Sequence, residues 1–327
     1  MFTLTTWRLK SPNKQESSMD ALNSISLEKL DSLQTQSEIF RLRNCCINDG
    51  FFYLTDHGIN PSFIDDALIA ARRFFALPLR TKNLFSQDRQ LVNPNTCRGY
   101  VHTFGETLHA PTGPDHKQHF DMGREAPACD RPFTGPNLLP NEAQAPGFAK
   151  AMLALQNEVM TRVLPPLLRG LALSLGLDRL FFEPFFSDPV LIQRALYYPP
   201  QCSGAGKHTD NGMFTLLFQD ANDACALSAF SRGRWIDVPP RGNEVVVNLG
   251  DMLMKWSNGL FTSTPHQVMH RADDGRVSLP FFLYPNIDAV FTPIGGDQVV
   301  ACQQMMLENF NSIWVSGQGA GRAREFA

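Results

Sequence analysis

The chain has 327 residues, a formal net charge of −3, 43% hydrophobic and 19% charged residues. That balance belongs to a folded globular protein and excludes a disordered or fibrous one. Neither a basic stripe nor a block of like charge appears, so a nucleic-acid binder is excluded and a small-molecule partner is expected. No apolar run reaches the length of about eighteen residues that a membrane helix needs, and Met1 to Ser18 lacks the apolar core of a signal peptide. The expectation is a cytoplasmic protein with no membrane contact. Met19 offers a second plausible start, and residues 1–18 read as a disordered tail.

Phe is abundant, at 25 residues against 5 Tyr and 4 Trp, so most of the aromatic surface cannot hydrogen-bond and a largely apolar pocket is expected. Cys45, Cys46, Cys97, Cys129, Cys202, Cys225 and Cys302 are scattered, with no C-x-x-C spacing, and read as reduced thiols.

In chain order, apolar residues recur at helical spacing over Ser37–Cys46 and Pro61–Leu77, and Gly50 to Leu54 between them reads as a short buried strand. Ser86 to Pro146 is rich in Pro, Gly, Asn and Asp and predicts a long functional loop covering a pocket. Phe148 to Leu175 is strongly apolar and helical, with Pro165-Pro166 predicting a kink or split. After Asp188 come short β-rich runs at 190–198, 213–219, 226–230, 244–249, 267–270 and 277–284, which predict a sandwich or barrel. Val300 to Val315 returns to helical spacing and should pack on the outside of the barrel. The organisation expected is a 1–18 tail, a 19–146 N-terminal region, a 147–187 helical support, a 188–299 barrel core and a 300–327 helix and tail.

His208-Thr209-Asp210 is the first chemical signal, because on a strand residues i and i+2 share a face and can offer an imidazole and a carboxylate to one ion. Gly250-Asp251 opens a strand-like run through Trp256, and Pro265-His266-Gln267 then supplies a second imidazole. Two His and one carboxylate on one face form a facial triad for ferrous iron, leaving positions for a bidentate cosubstrate and dioxygen. Arg276 and Ser278 again share a strand face, where a guanidinium and a hydroxyl can bind a carboxylate. Leu279, Phe281 and Leu283 alternate with them, and periodicity does not say which face is interior.

His208 to Gly212, Thr215 to Asp220, Val247 to Leu253, Trp256 to Gly259 and Ser263 to His266 together resemble the isopenicillin N synthase-like family of 2-oxoglutarate and iron(II)-dependent dioxygenases. Gly50 to Gly58, Phe74 to Pro78, Arg98-Gly99-Tyr100 and Asp115-His116-Lys117 extend the likeness upstream, so that it spans about residues 23 to 290. The resemblance implies an α+β chain: a double-stranded β-helix (jelly-roll) core flanked by helices, with a mixed N-terminal subdomain. It implies Fe²⁺ on His208, Asp210 and His266, and 2-oxoglutarate held by Arg276, Ser278 and Tyr198, with O₂ as cosubstrate and ascorbate as a reductant. Leu196 stands where the family usually has Asn, and Gln267 where it commonly has Arg. The implied activity is oxidation of a C–H bond of a small metabolite, by hydroxylation, desaturation or ring rearrangement, in secondary metabolism. Thr103, Phe104, His119, Phe230 and Phe282 are the candidate substrate contacts. A 2-oxoglutarate-independent oxidase of the same fold, a non-catalytic ligand-binding jelly-roll and a zinc hydrolase are the alternatives that the same residues leave open.

Overall fold

The computed structural model describes residues 22–32, 36–87, 96–108, 111 and 113–315, and side chains as far as residue 310. The expected tail at 1–18 lies outside the described residues. The N-terminal part runs β1 (Ser24–Ser26), α1 (Leu27–Asp31), α2 (Gln36–Asn48), β2 (Phe51–Thr55), α3 (Pro61–Phe75), α4 (Leu79–Lys82), β3 (Gly99–Val101) and β4 (Gln118–Met122). The helical support is α5 (Phe148–Glu158) and α6 (Leu164–Ser174). The remaining strands are β5 (Pro189–Tyr198), β6 (Cys202–His208), β7 (Phe214–Gln219), β8 (Leu227–Ser231), β9 (Arg234–Asp237) and β10 (Val245–Leu249). After them come α7 (Asp251–Trp256), β11 (His266–His270), β12 (Arg276–Asn286), β13 (Val290–Phe291), β14 (Val300–Ala301) and α8 (Cys302–Val315).

The large sheet has the order β1-β2-β10-β7-β12-β5-β4-β3, and it faces a four-stranded sheet ordered β6-β11-β8-β9. The jelly-roll is formed by β5 to β12, and the N-terminal strands extend its large sheet at both edges. Period-two alternation divides the large sheet into two buried faces. Val277, Leu279, Phe281 and Leu283 of β12, with Phe214, Leu216 and Phe218 of β7 and Val245 and Val247 of β10, join the core beneath α3, α5 and α6. Leu196 and Tyr198 of β5 and Val246 of β10 join a second core with Ala205, Leu227, Ala229 and Val268 of the small sheet. Arg276 and Ser278 therefore point between the two sheets, which settles the face that periodicity left open; both are 1% exposed.

Much of the Phe surplus lies in the helix-side core rather than in a pocket. Phe74 of α3 meets the rings of Phe75, Phe85, Tyr100, Phe120 and Phe148 at centroid distances of 4.7–6.4 Å.

Two local expectations need correction. Asp251–Trp256 is a helix rather than a strand: its residues are mostly good helix formers, Asp251 suits the first turn, and Met252, Leu253 and Trp256 share the buried side. The region 86–146 contains β3 and β4, too short and too polar to read as strands, which pair with each other and onto β5. The kink or split expected in 148–175 is found: a π-helical turn at Val159–Val163 separates α5 from α6, and Pro165 and Pro166 sit in the first turn of α6, where the lost N–H groups are tolerated. β1, β9 and most of β6, whose end at His208 alone reads as strand, have no sequence signal: β6 carries Gly204, Gly206 and Lys207 and β9 is edge-exposed, so neither shows an apolar run.

Candidate metal and cosubstrate site

His208 is the last residue of β6 and His266 the first of β11, and the antiparallel register sets them directly opposite each other. Their rings lie 4.3 Å apart, with Phe51 of β2 edge-on to His266 at 5.4 Å. Asp210 does not share a strand face with His208, as the i, i+2 argument supposed, but lies in the turn after β6. That turn is held by main chain: Asp251 N–H donates to Asp210 O at 2.7 Å, Met252 N–H to Gly212 O at 3.2 Å, and Met213 N–H to Leu283 O at 2.8 Å. The otherwise orphaned N–H groups of the α7 N-terminus are thus satisfied by the loop they fix. The approach is so close that a Cβ on Gly250 would overlap Gly212 O, and one on Gly212 would lie 2.7 Å from Leu283 O.

The three side chains converge, with one ligand atom of each within 4.8 Å of the others. Asp210 Oδ1 is 3.9 Å from His208 Nε2 and 3.7 Å from His266 Nε2. Asp210 Oδ2 accepts from Thr215 Oγ1 at 2.6 Å and Asn248 Nδ2 at 2.7 Å, two residues paired across β7 and β10. The carboxylate is left with one oxygen to offer. Each imidazole donates through Nδ1 to a carbonyl two residues before it, His208 to Gly206 O at 2.7 Å and His266 to Thr264 O at 3.1 Å. Both Nε2 lone pairs are thereby turned to the centre. Burial pushes Asp210 up, but the two imidazoles and the Thr215 and Asn248 hydrogen bonds outweigh it and hold the carboxyl below its usual range. Burial and the neighbouring His266 push His208 down to about 3, so that it is a neutral donor.

An inner cavity of about 60 Å³ opens beside the triad and is lined by Tyr198, Arg276, Ser278, Leu196 and Lys117 among others. Arg276 donates to Gln219 Oε1 at 2.9 Å and to Ser278 Oγ at 3.3 Å, its Nε has no partner, and its guanidinium lies 5.2 Å from the Tyr198 ring centre. Among the described residues no carboxylate forms an ion pair with this buried cation. Burial raises the Tyr198 phenol and keeps it protonated.

An outer cavity of about 350 Å³ shares His208 and Asp210 with the inner one. Its wall is mixed rather than largely apolar: Glu106, Arg194, Asn211, Asp251 and Asn309 stand among Ile192, Phe282, Tyr284 and Phe310. Of the candidate substrate contacts, Phe282 lines both cavities. Thr103, Phe104, His119 and Phe230 line neither. Phe104 is 55% exposed and stacks on His116; Phe230 is 39% exposed, beside Trp235. His119 is buried within β4, its Nε2 3.6 Å from Asp121 Oδ2. Thr103 sits in the turn that also holds Phe104.

Several cavity residues were not singled out from the sequence. Tyr284 was within reach, since it follows Phe282 by two on a recognised strand. Thr215 and Asn248 stood in the quoted motifs without a role. Glu106, Arg194, Asn309 and Phe310 gave no local signal, because the β3–β4 connection, the topology of β5 and the return of α8 bring them to the site.

Residues 22–142 match the family model described as the non-haem dioxygenase in morphine synthesis N-terminal region, and residues 188–285 match the 2OG-Fe(II) oxygenase superfamily. The 2-oxoglutarate-Fe(II) type oxidoreductase hxnY of Emericella nidulans is 33% identical over 266 residues, covering 76% of this chain and 74% of that protein. The 2-oxoglutarate-dependent dioxygenase citB of Monascus ruber is 31% identical over 277 residues, covering 77% and 80%. A full-length Neurospora crassa protein crystallised with alpha-KG and thymine superposes with a TM-score of 0.77 at 26% identity, covering 89% of this chain and 96% of that one. With the triad and the buried guanidinium in place beneath these matches, the chain belongs to the isopenicillin N synthase-like family of 2-oxoglutarate and iron(II)-dependent dioxygenases.

Proposed function

We propose that His208, Asp210 and His266 hold ferrous iron, that Arg276, Ser278 and Tyr198 receive the distal carboxylate of 2-oxoglutarate in the inner cavity, and that the outer cavity orients a small metabolite. The observation that carries this reading is Arg276: a guanidinium buried without a carboxylate is costly, and a dianionic cosubstrate supplies the missing partner. The donor set suits the metal as well, since two neutral imidazoles and one carboxylate oxygen leave open positions on a hard-to-borderline divalent ion. Bound there, iron and 2-oxoglutarate supply the activation of dioxygen needed to oxidise an unactivated C–H bond.

The chain itself positions and shields. Thr215 and Asn248 fix the Asp210 carboxylate, and the Gly206 and Thr264 carbonyls fix the imidazole tautomers. Phe282 and Tyr284 project from β12 into the outer cavity and displace water from the space nearest the triad. Lys117 stands beside the inner cavity as a cation: burial lowers its affinity for a proton, but Glu106 and Asp115 more than restore it. The setting we infer is secondary metabolism in the cytoplasm. Among the described residues no helix is long and apolar enough to cross a membrane.

The test is anaerobic addition of 2-oxoglutarate to the Fe²⁺ protein, which should give the visible charge-transfer absorption of a chelated 2-oxo acid. His208→Ala and Asp210→Ala should lose it and turnover while keeping a cooperative thermal transition. Product formation without 2-oxoglutarate consumption would replace the cosubstrate assignment with that of an oxidase of the same fold.

A further inference from the structure

A chain of buried ions lies behind the wall shared by the two cavities. Lys117 Nζ is 2.8 Å from Glu106 Oε2 and 3.0 Å from Asp115 Oδ2. Arg194 Nη1 donates to both oxygens of Glu106, at 3.2 and 3.0 Å, while Nε and Nη2 donate to the two oxygens of Asp121 at 2.7 and 2.8 Å. All five residues are buried. Apolar side chains of equal volume would stabilise the fold as well or better, so packing alone does not account for this set.

Arg194 differs from the other members in facing ligand space. It lines both cavities beside His208 and Asp210, with its guanidinium 5.7 Å from the centre of the Phe282 ring. Asp121 grips one edge and Glu106 the Nη1 end, leaving one Nη2 hydrogen that no described residue accepts. The donor is therefore rigidly aimed from behind, as a reader of an acceptor atom requires. Its surroundings also carry a sign. Glu106, Asp115 and Asp121 outnumber Lys117 and Arg194, and Asp251 adds a further carboxylate to the outer wall. In a poorly solvated space that excess repels a second anion.

We propose that Arg194 is the polar contact of the outer cavity, and that the substrate is an uncharged molecule presenting an amide- or ketone-type carbonyl oxygen to it, with its apolar part against Phe282. Carboxylic acids are turned away by Glu106 and Asp251. This rests on the reading of the outer cavity as the substrate site.

The experiment uses the anaerobic Fe²⁺ enzyme with saturating 2-oxoglutarate, whose charge-transfer band reports that the cosubstrate stays in place. Ligand-observed NMR then compares benzamide with benzoate, two probes of similar shape that differ in charge. Benzamide should bind at least about tenfold more tightly than benzoate. Arg194→Met should weaken benzamide about tenfold with the band retained. Because that variant strips Asp121 of its counter-ion, leaves Glu106 with Lys117 alone and risks unfolding, Glu106→Gln carries the same test with Arg194 still gripped by Asp121. It should narrow the benzamide-to-benzoate gap to less than about threefold. Equal binding of the two probes, tighter binding of benzoate, binding of neither, or an unchanged gap in Glu106→Gln would overturn the proposal. A wild-type protein that forms no band would instead overturn the iron and 2-oxoglutarate reading beneath it.

Discussion

Replacing Arg276 with methionine separates what this side chain costs the fold from what it gives the ligand. The side chain is 1% exposed, its partners are the neutral Gln219 and Ser278, and its Nε is unpaired. In the ligand-free protein its desolvation is only partly compensated, so Arg276→Met should unfold at an equal or higher temperature than wild type. With 2-oxoglutarate the sign reverses, because the distal carboxylate loses a charged hydrogen-bonding partner worth about 3 kcal/mol, and Kd should rise about a hundredfold. At a concentration about 100 times the wild-type Kd, the ligand stabilises wild type by about 2.7 kcal/mol, whereas the variant, near its own Kd, gains about 0.4 kcal/mol. At roughly 2 °C per kcal/mol for a chain of this size, the ligand-induced shift in Tm should fall from roughly 5 °C to roughly 1 °C. Anaerobic calorimetry of both proteins with and without 2-oxoglutarate measures all four values. An undiminished ligand shift in the variant would refute the assignment of Arg276, and a ligand-free variant that melts far below wild type would refute the argument about its unpaired charge.

Thr215→Val removes the 2.6 Å hydrogen bond to Asp210 Oδ2 and should weaken Fe²⁺ binding about tenfold; equal affinities in a metal titration would show that the bond does not orient the ligand. Burial first, and the Arg194 charge next, push His119 well below its ordinary 6.5, so the folded protein keeps it neutral. The unfolded chain takes up that proton as pH falls below 6.5, so the stability this residue contributes is full above 6.5 and is lost progressively on acidification. The Tm of His119→Gln should accordingly fall less steeply than that of wild type over that range, and parallel profiles would refute it. Phe74→Ala opens a void among five rings and should cost about 4 kcal/mol in denaturant unfolding; a loss below about 1 kcal/mol would mean that the cluster collapses onto the gap. Phe310→Ala, within α8 where that helix lines the outer cavity, should raise the KM for substrate while the Kd for 2-oxoglutarate is unchanged.

The triad was legible because its chemistry is concentrated in a few residue types at fixed positions. His208, Asp210 and His266 announce a ligand set even though the stated reason for the first pair, a shared strand face, is not how Asp210 reaches the centre. It gets there because the α7 N-terminus captures its loop, and the sequence of α7 reads as a strand. Six residues of mixed apolar and polar character can satisfy either period, and the long-range contact that decides between them leaves no trace in the local pattern. β12 showed the same limit: both of its faces are buried, so alternation marked two sets without saying which was inward. Composition misled in one respect, for many of the phenylalanines serve the helix-side core while the cavity is built from Glu106, Arg194, Asp251 and Asn309. Ions distributed over β4, β5 and the connection between β3 and β4 become a cluster only once the strands are paired.

The contact between Gly212 and Gly250 sets the evolutionary freedom of this enzyme. The loop that carries the carboxylate arm of the triad is located by peptide groups meeting peptide groups, at a spot where any added carbon collides with a carbonyl, and Thr215 and Asn248 then orient the carboxylate itself, so its address does not depend on the side chains of the outer chamber. Phe282, Tyr284 and Phe310, which line that outer chamber, take no part in holding the loop. The same arrangement makes either glycine an Achilles heel, because a single methyl group there would dislodge the loop that no amount of repacking in the chamber could put back.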